Sequence, residues 1–128
     1  MREVKRTERG WAGHFIGGAD CRFQRNTLLE CARRKIIVST VGNYHPRGRA
    51  EIDTVGHLRY YETMAFHAAQ HGPYIDSDAS RQVFFDSPWS ICADKVRDLP
   101  EEVDNMANDM HEAVVAELTA RLQAGKKL

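Results

Sequence analysis

The sequence predicts an α+β fold, an antiparallel sheet of hairpins packed against a C-terminal amphipathic helix. Two observations carry this: β-prone runs come in neighbouring pairs between residues 23 and 85, and a 3.6-residue hydrophobic period fills the stretch after Pro100. The length of 128 residues is that of one domain, 1–128, and suffices to bury a core without disulfides.

In chain order, Trp11–Ile16 is aromatic and apolar between Gly10 and the pair Gly17-Gly18, and it reads as a strand ending in a turn. The runs Phe23–Cys31 and Lys35–Val41 flank a short polar link, Ala32-Arg33-Arg34, which is the grammar of a hairpin. Ile36, Ile37 and Val38 are consecutive and β-branched, so the second run is expected to be a central strand covered on both faces. His45–Gly56 mixes Pro, Gly and charge without a period and is expected to be a surface loop. Tyr60–Ala69 alternates, Gly72-Pro73 turns the chain, and Tyr74–Phe85 returns with Ile75, Ala79, Val83 and Phe85 in register as a second hairpin.

The helix is expected from about Pro100 to Gln123. Val103, Met106, Ala107, Met110, Val114 and Leu118 form its apolar face, with Met106, Met110, Val114 and Leu118 docking on the sheet, while Glu101, Asn105, Asn108 and Glu112 lie opposite. Asp98 and Glu101 have capping-box spacing, and Gly125 supplies a stop. Glu117 and Arg121, four apart, interrupt the apolar face near its end, where they are expected to pair and the last turns to run beyond the sheet.

Composition excludes several classes. At 42% hydrophobic and 28% charged residues the chain is too apolar to be disordered. No apolar run approaches the roughly 20 residues of a membrane span, and the basic start MREVKRTER leads into no secretory core, so a cytoplasmic protein without membrane contact is expected. Cys21, Cys31 and Cys92 form no CxxC pair, which suggests free thiols. Net charge is zero but segregated: residues 1–50 hold eleven Lys/Arg against four Asp/Glu, and residues 51–128 hold seven against fourteen. Either the two halves attract one another internally, or one of them is a docking surface.

Catalytic patterns are incomplete. His111-Glu112 begins a zincin-like helix, but Val115 stands where the second His belongs, so His111 reads as a helix-flank residue. Asp76, Asp78 and Ser80 open like a calcium loop, yet Arg81 and Ser87 replace the required Gly and Glu. Gly17-Gly18 lacks phosphate-loop spacing, and no GxSxG elbow occurs. No catalytic residue, metal or cofactor is therefore expected, although a small enzyme or ligand-binding domain assembled from dispersed His, Cys, Asp and Arg stays open.

Two charged sets remain as binding candidates. Asp98, Glu101, Glu102, Asp104, Asn108, Asp109 and Glu112 form an acidic tract suited to a basic protein groove. Arg22, Arg25, Arg33, Arg34 and Lys35 surround the first hairpin with Phe23 interleaved, which suits nucleic acid. A solvated face looks the same in either case.

The stretches RTERGWAGHF, CRFQRNTLLE, IVSTVG, YYETMAFHA, FDSPWSI and NDMHEAVV resemble those of small proteins of phages, prophages and other mobile elements, across nearly the whole chain. The resemblance carries no catalytic residues onto these positions. It implies an accessory protein of the bacterial host's cytoplasm that binds and blocks a host defence protein or complex, as anti-CRISPR proteins do. Its oligomeric state is left open.

Overall fold

The computed structural model describes residues 2–92 and 100–128. They form an α+β fold with strands β1 (Lys5–Glu8), β2 (Cys21–Cys31), β3 (Arg34–Tyr44), β4 (Arg59–His71), β5 (Tyr74–Val83) and β6 (Ser90–Cys92), and helix α1 (Pro100–Gln123). The strands make one antiparallel sheet in the order β1-β2-β3-β4-β5, and β6 adds to β4. The Asp98 cap expected for α1 lies outside the described residues.

Both expected hairpins form. Cys31 pairs with Arg34 across a two-residue turn with Ala32 at φ 54°, and His71 pairs with Tyr74 across Gly72-Pro73 with Gly72 at φ 60°. Ile36, Ile37 and Val38 are fully buried at the centre, as their branching suggests. In β5 the register slips between Phe66 and Ala68 of its partner; Ala79 is consequently exposed and the strand stops at Val83.

Trp11–Ile16 is not a strand. The Ala12 and Gly13 N–H groups donate to the side chains Gln24 Oε1 (3.1 Å) and Ser39 Oγ (3.0 Å) instead of to a neighbouring backbone, and Phe15 sits at φ 73°. The segment therefore crosses the sheet face that Ser39 occupies, opposite α1, and does not extend the sheet. His45–Gly56 is a loop as expected, but its first residue is anchored: buried His45 bonds the Arg49 carbonyl and Asn43 Oδ1.

α1 covers the other face with Val103, Ala107, Met110, His111, Val114, Val115, Leu118 and Leu122. At 100° per residue this stripe leaves Met106 about 110° from its centre. Met106 is 40% exposed, contrary to the expected docking. The last turns stay on the sheet, because Leu118 and Leu122 are fully buried against Leu29, Ile36 and Val38. Glu117 and Arg121 do pair (3.7 Å), and they also hold residues 84–87: Glu117 accepts from the Asp86 and Ser87 N–H groups, and Arg121 donates to the Phe84 carbonyl. Gly125, at φ 70°, ends the helix with its N–H on the Leu122 carbonyl and the Lys126 N–H on the Arg121 carbonyl, a Schellman arrangement that needs a left-handed residue.

Two apolar clusters lie under α1. Leu29, Cys31, Ile36, Val38, Ala65 and Val83 meet its C-terminal half; Phe23, Tyr61 and Ile91 meet its N-terminal half. Tyr61 lies across Gly42, its partner on β3, where any Cβ would collide with the ring.

Candidate functional site

Between the two clusters runs a polar seam. Thr27, Thr40 and Thr63 stand on adjacent strands facing α1, and His111 reaches them from the helix: Nε2 lies 2.7 Å from Thr27 Oγ1, Nδ1 2.7 Å from Thr40 Oγ1, and the Thr40 and Thr63 hydroxyls are 2.6 Å apart. All four residues are buried. His111 is thus a core residue, not the flank residue its polarity suggested. Thr27 donates to Glu8 Oε1 at 2.8 Å, and an ionised carboxylate only accepts, which fixes the direction of the chain. Thr63 donates to Thr40, Thr40 donates to His111 Nδ1, and His111 Nε2–H donates to Thr27. Burial, reinforced by the Arg25 cation, pushes the imidazole down to about 4.

At the outer end of the seam, Arg6 and Arg25 bridge Glu8 and Glu112 at 2.7–2.9 Å. The hydrogen bond from Arg6, then that from Arg25, holds the Glu112 carboxyl near 2 against burial. Glu8, His111 and Glu112 place a ligand atom each within 4.8 Å of one another, the reach of one metal ion. Both carboxylates already face two guanidiniums and both imidazole nitrogens face hydroxyls, so the donor set is built for arginine and not for a metal.

On the opposite face, His14 Nδ1 lies 2.7 Å from Ser39 Oγ and His14 Nε2 lies 3.0 Å from Glu62 Oε1. The order Ser–His–Glu is that of a hydrolytic triad, but Ser39 is fully buried and its oxygen takes the Gly13 N–H. The trio presents no nucleophile to solvent and acts as a clasp between residues 12–14 and the sheet. Burial pushes Glu62 up, yet hydrogen bonds from His14 and Arg59 hold it below the usual carboxylate range.

Glu62 and Arg59 also wall a pocket of about 360 Å³ with Met64, Gln82, Phe84, Phe85 and Trp89. It opens where β4 changes partner, from Val83 opposite Ala65 to Ser90 opposite Glu62. The Arg59 guanidinium lies 4.9 Å from the Trp89 ring centre. No helix among the described residues is long and apolar enough to cross a membrane.

No protein-family model, curated protein or solved structure matches the chain. The site is therefore read from its own chemistry.

The structure divides both charged sets. Of the acidic one, Asp98 lies outside the described residues, and Glu101, Glu102 and Asp109 are exposed. Half-buried Asp104 accepts from the Tyr61 hydroxyl, Asn108 meets Arg25 at 3.4 Å, and Glu112 is spent on Arg6 and Arg25. Of the basic set, Arg22 is exposed at the start of β2 and Arg25 belongs to the Glu8–Glu112 cluster. Arg33, Arg34 and Lys35 stay together, and His67, Arg81 and Lys127 join them around a cleft of about 350 Å³. Sequence reasoning missed the last three because strand pairing and the helix end, not neighbourhood in the chain, bring them there. The charge segregation is partly internal, through Arg6 and Arg25 on Glu112, and partly left at the surface.

Proposed function

We propose that the chain is a non-catalytic accessory protein of a mobile element that works in the cytoplasm of a bacterial host, where it lays the outer face of α1 into the cationic groove of a CRISPR-type defence nuclease complex. One observation carries the reading. Glu101, Glu102 and Asp109 are exposed and form no ion pair with a basic residue among the described residues; Glu102 and Asp109, one turn before and one turn after, flank Met106, itself 40% exposed. Unquenched like charges steer association with a cationic surface, and a flexible thioether among them supplies the apolar contact that holds it. Glu101 and Glu102 sit in the first turn of α1, where the peptide dipole favours negative charge, and Asp109 stands two turns further along the same exposed side. The resemblance to mobile-element proteins supplies the setting.

The test is target cleavage by a reconstituted CRISPR-type nuclease with and without the protein. The parent is expected to inhibit, with inhibition falling as salt rises. The triple variant Glu101→Lys, Glu102→Lys, Asp109→Lys is expected to lose inhibition while staying folded, with a melting temperature lowered only modestly by the two cations placed in the first turn of α1, because none of the three side chains is buried. A triple variant that still inhibits overturns the docking face, and a parent without effect on any such complex overturns the function.

A further inference from the structure

We propose a second site, a track for single-stranded nucleic acid at the opposite end of α1 from its acids. It consists of a cationic cleft for phosphates followed by aromatic platforms for bases. It stands on residues separate from the acidic face and does not depend on the function proposed for that face.

The cleft is the electrostatic half. Arg33, Arg34 and Lys35 of the first hairpin meet Arg81 of β5 and Lys127 after α1 around one depression, with Glu30 alone among the described acids within 4 Å of one of these cations, at 3.9 Å from Lys35. Five cations converging from three parts of the chain are more than a solvated face requires; one of them, Arg34, donates to the Lys126 carbonyl at 2.6 Å, which ties the hairpin to the chain after α1.

The chain neighbours Lys127 and Lys126 lead from the cleft to the next depression. Lys126, next to Lys127, lines a neighbouring depression of about 530 Å³ with Arg121, Phe84 and Phe85; the same two aromatics wall the 360 Å³ pocket that holds Trp89 and Arg59. From Arg81 to Phe84 along extended chain is about 10 Å. Phe84 is 75% exposed and Trp89 45%, large apolar surfaces that the fold leaves uncovered beside a cationic cleft. Of the acids along the way, Glu62 is engaged by His14 and Arg59 and Glu117 by Ser87 and Arg121, while Asp86 stands exposed beside Lys126 and Arg121 in the same depression. Phosphate-tracking cations leading to flat aromatic faces, one backed by a guanidinium, are the chemistry by which single strands are bound without sequence preference. A duplex keeps its bases stacked inside and offers these rings nothing.

The experiment is fluorescence anisotropy with labelled 12-nucleotide single strands of RNA and DNA, with a 12-base-pair duplex and inorganic polyphosphate as competitors. Single strands are expected to bind with an affinity whose logarithm falls with log salt at a slope no steeper than about −3.5, for five phosphate contacts at most. Arg33→Glu with Arg81→Glu should weaken binding at least about 10-fold and flatten the slope, whereas Arg22→Glu, outside the cleft, should change nothing. Phe84→Ala should cost about 10-fold at unchanged slope. In a Trp11→Phe background Trp89 is the sole tryptophan, and its emission should be quenched by single strands and not by polyphosphate. The Glu101, Glu102 and Asp109 reversal should bind at least as well as the parent, so failure of one site leaves the other standing. Absence of binding at low salt, loss on Arg22→Glu equal to that on the cleft variant, or polyphosphate competing on equal terms with an unresponsive Trp89 would each overturn the proposal.

Discussion

Thr27 Oγ1 lies 2.7 Å from His111 Nε2 and 2.8 Å from Glu8 Oε1, so one buried hydroxyl accepts from an imidazole and donates to a carboxylate. Thr27→Val removes both bonds and leaves the Nε2–H with no acceptor, at a cost of about 2–3 kcal/mol. Thr63→Val removes only the terminal donor and should cost about 1 kcal/mol. Urea denaturation of the two variants checks the order; equal losses would show that the hydrogen-bond direction is misassigned.

His111 makes stability depend on pH in a window of its own. Its folded-state value, about 4, lies below the ordinary 6.5, so the unfolded chain binds the proton more tightly. The contribution is complete above pH 6.5 and is lost as pH falls towards 4, in total about 3 kcal/mol. Glu112 and Glu62, both lowered from 4.5, lose theirs only below that value. Urea midpoints between pH 6.5 and 4.5 should therefore fall in the parent and stay flat in His111→Asn.

Met106 and Met110 separate the two sides of α1. Met110 is buried beside Phe23 and Tyr61, so Met110→Asp strands a charge and should cost about 3 kcal/mol or more. Met106→Asp adds one acid to an exposed face and should stay within about 0.5 kcal/mol. Thermal melts of the pair decide it, and similar losses would place Met106 in the core after all.

Glu112 differs from its acidic neighbours in the same way. Glu112→Lys sets a third cation beside Arg6 and Arg25 and should destabilise by about 1 kcal/mol or more, while Glu101→Lys should change little. Raising the salt concentration should narrow that gap, because the cluster is partly exposed.

Much of the sheet and the whole span of α1 were legible because branched runs and a 3.6-residue period report burial directly. What escaped was polar or remote. His111 sits in the middle of the apolar stripe, between Ala107 and Val114, and that position was the available signal, but a histidine reads as solvent-facing unless a hydroxyl partner is known. Those partners, Thr27, Thr40 and Thr63, come from three strands with no shared spacing. Trp11–Ile16 has strand composition, yet its N–H groups go to side chains that only the folded sheet brings near. β6 is three residues long and carries no period. Arg81 and Lys127 joined Arg33 through topology, and Arg25 left that group for Glu112, because like-charged neighbours in sequence need not share a face.

The seam under α1 also orders events in time. β2 and β3 meet through a two-residue turn, a contact of the shortest kind, whereas Thr27 and His111 are separated by 84 positions. Closing so long a loop is slow relative to forming a hairpin, so the histidine contacts belong to the late side of the folding barrier. Substitutions at His111 should then quicken unfolding and leave the refolding rate almost untouched. While the chain is being synthesised, the row of threonines stays wet until the final helix emerges, and what His111 governs is how long the native state lasts once reached.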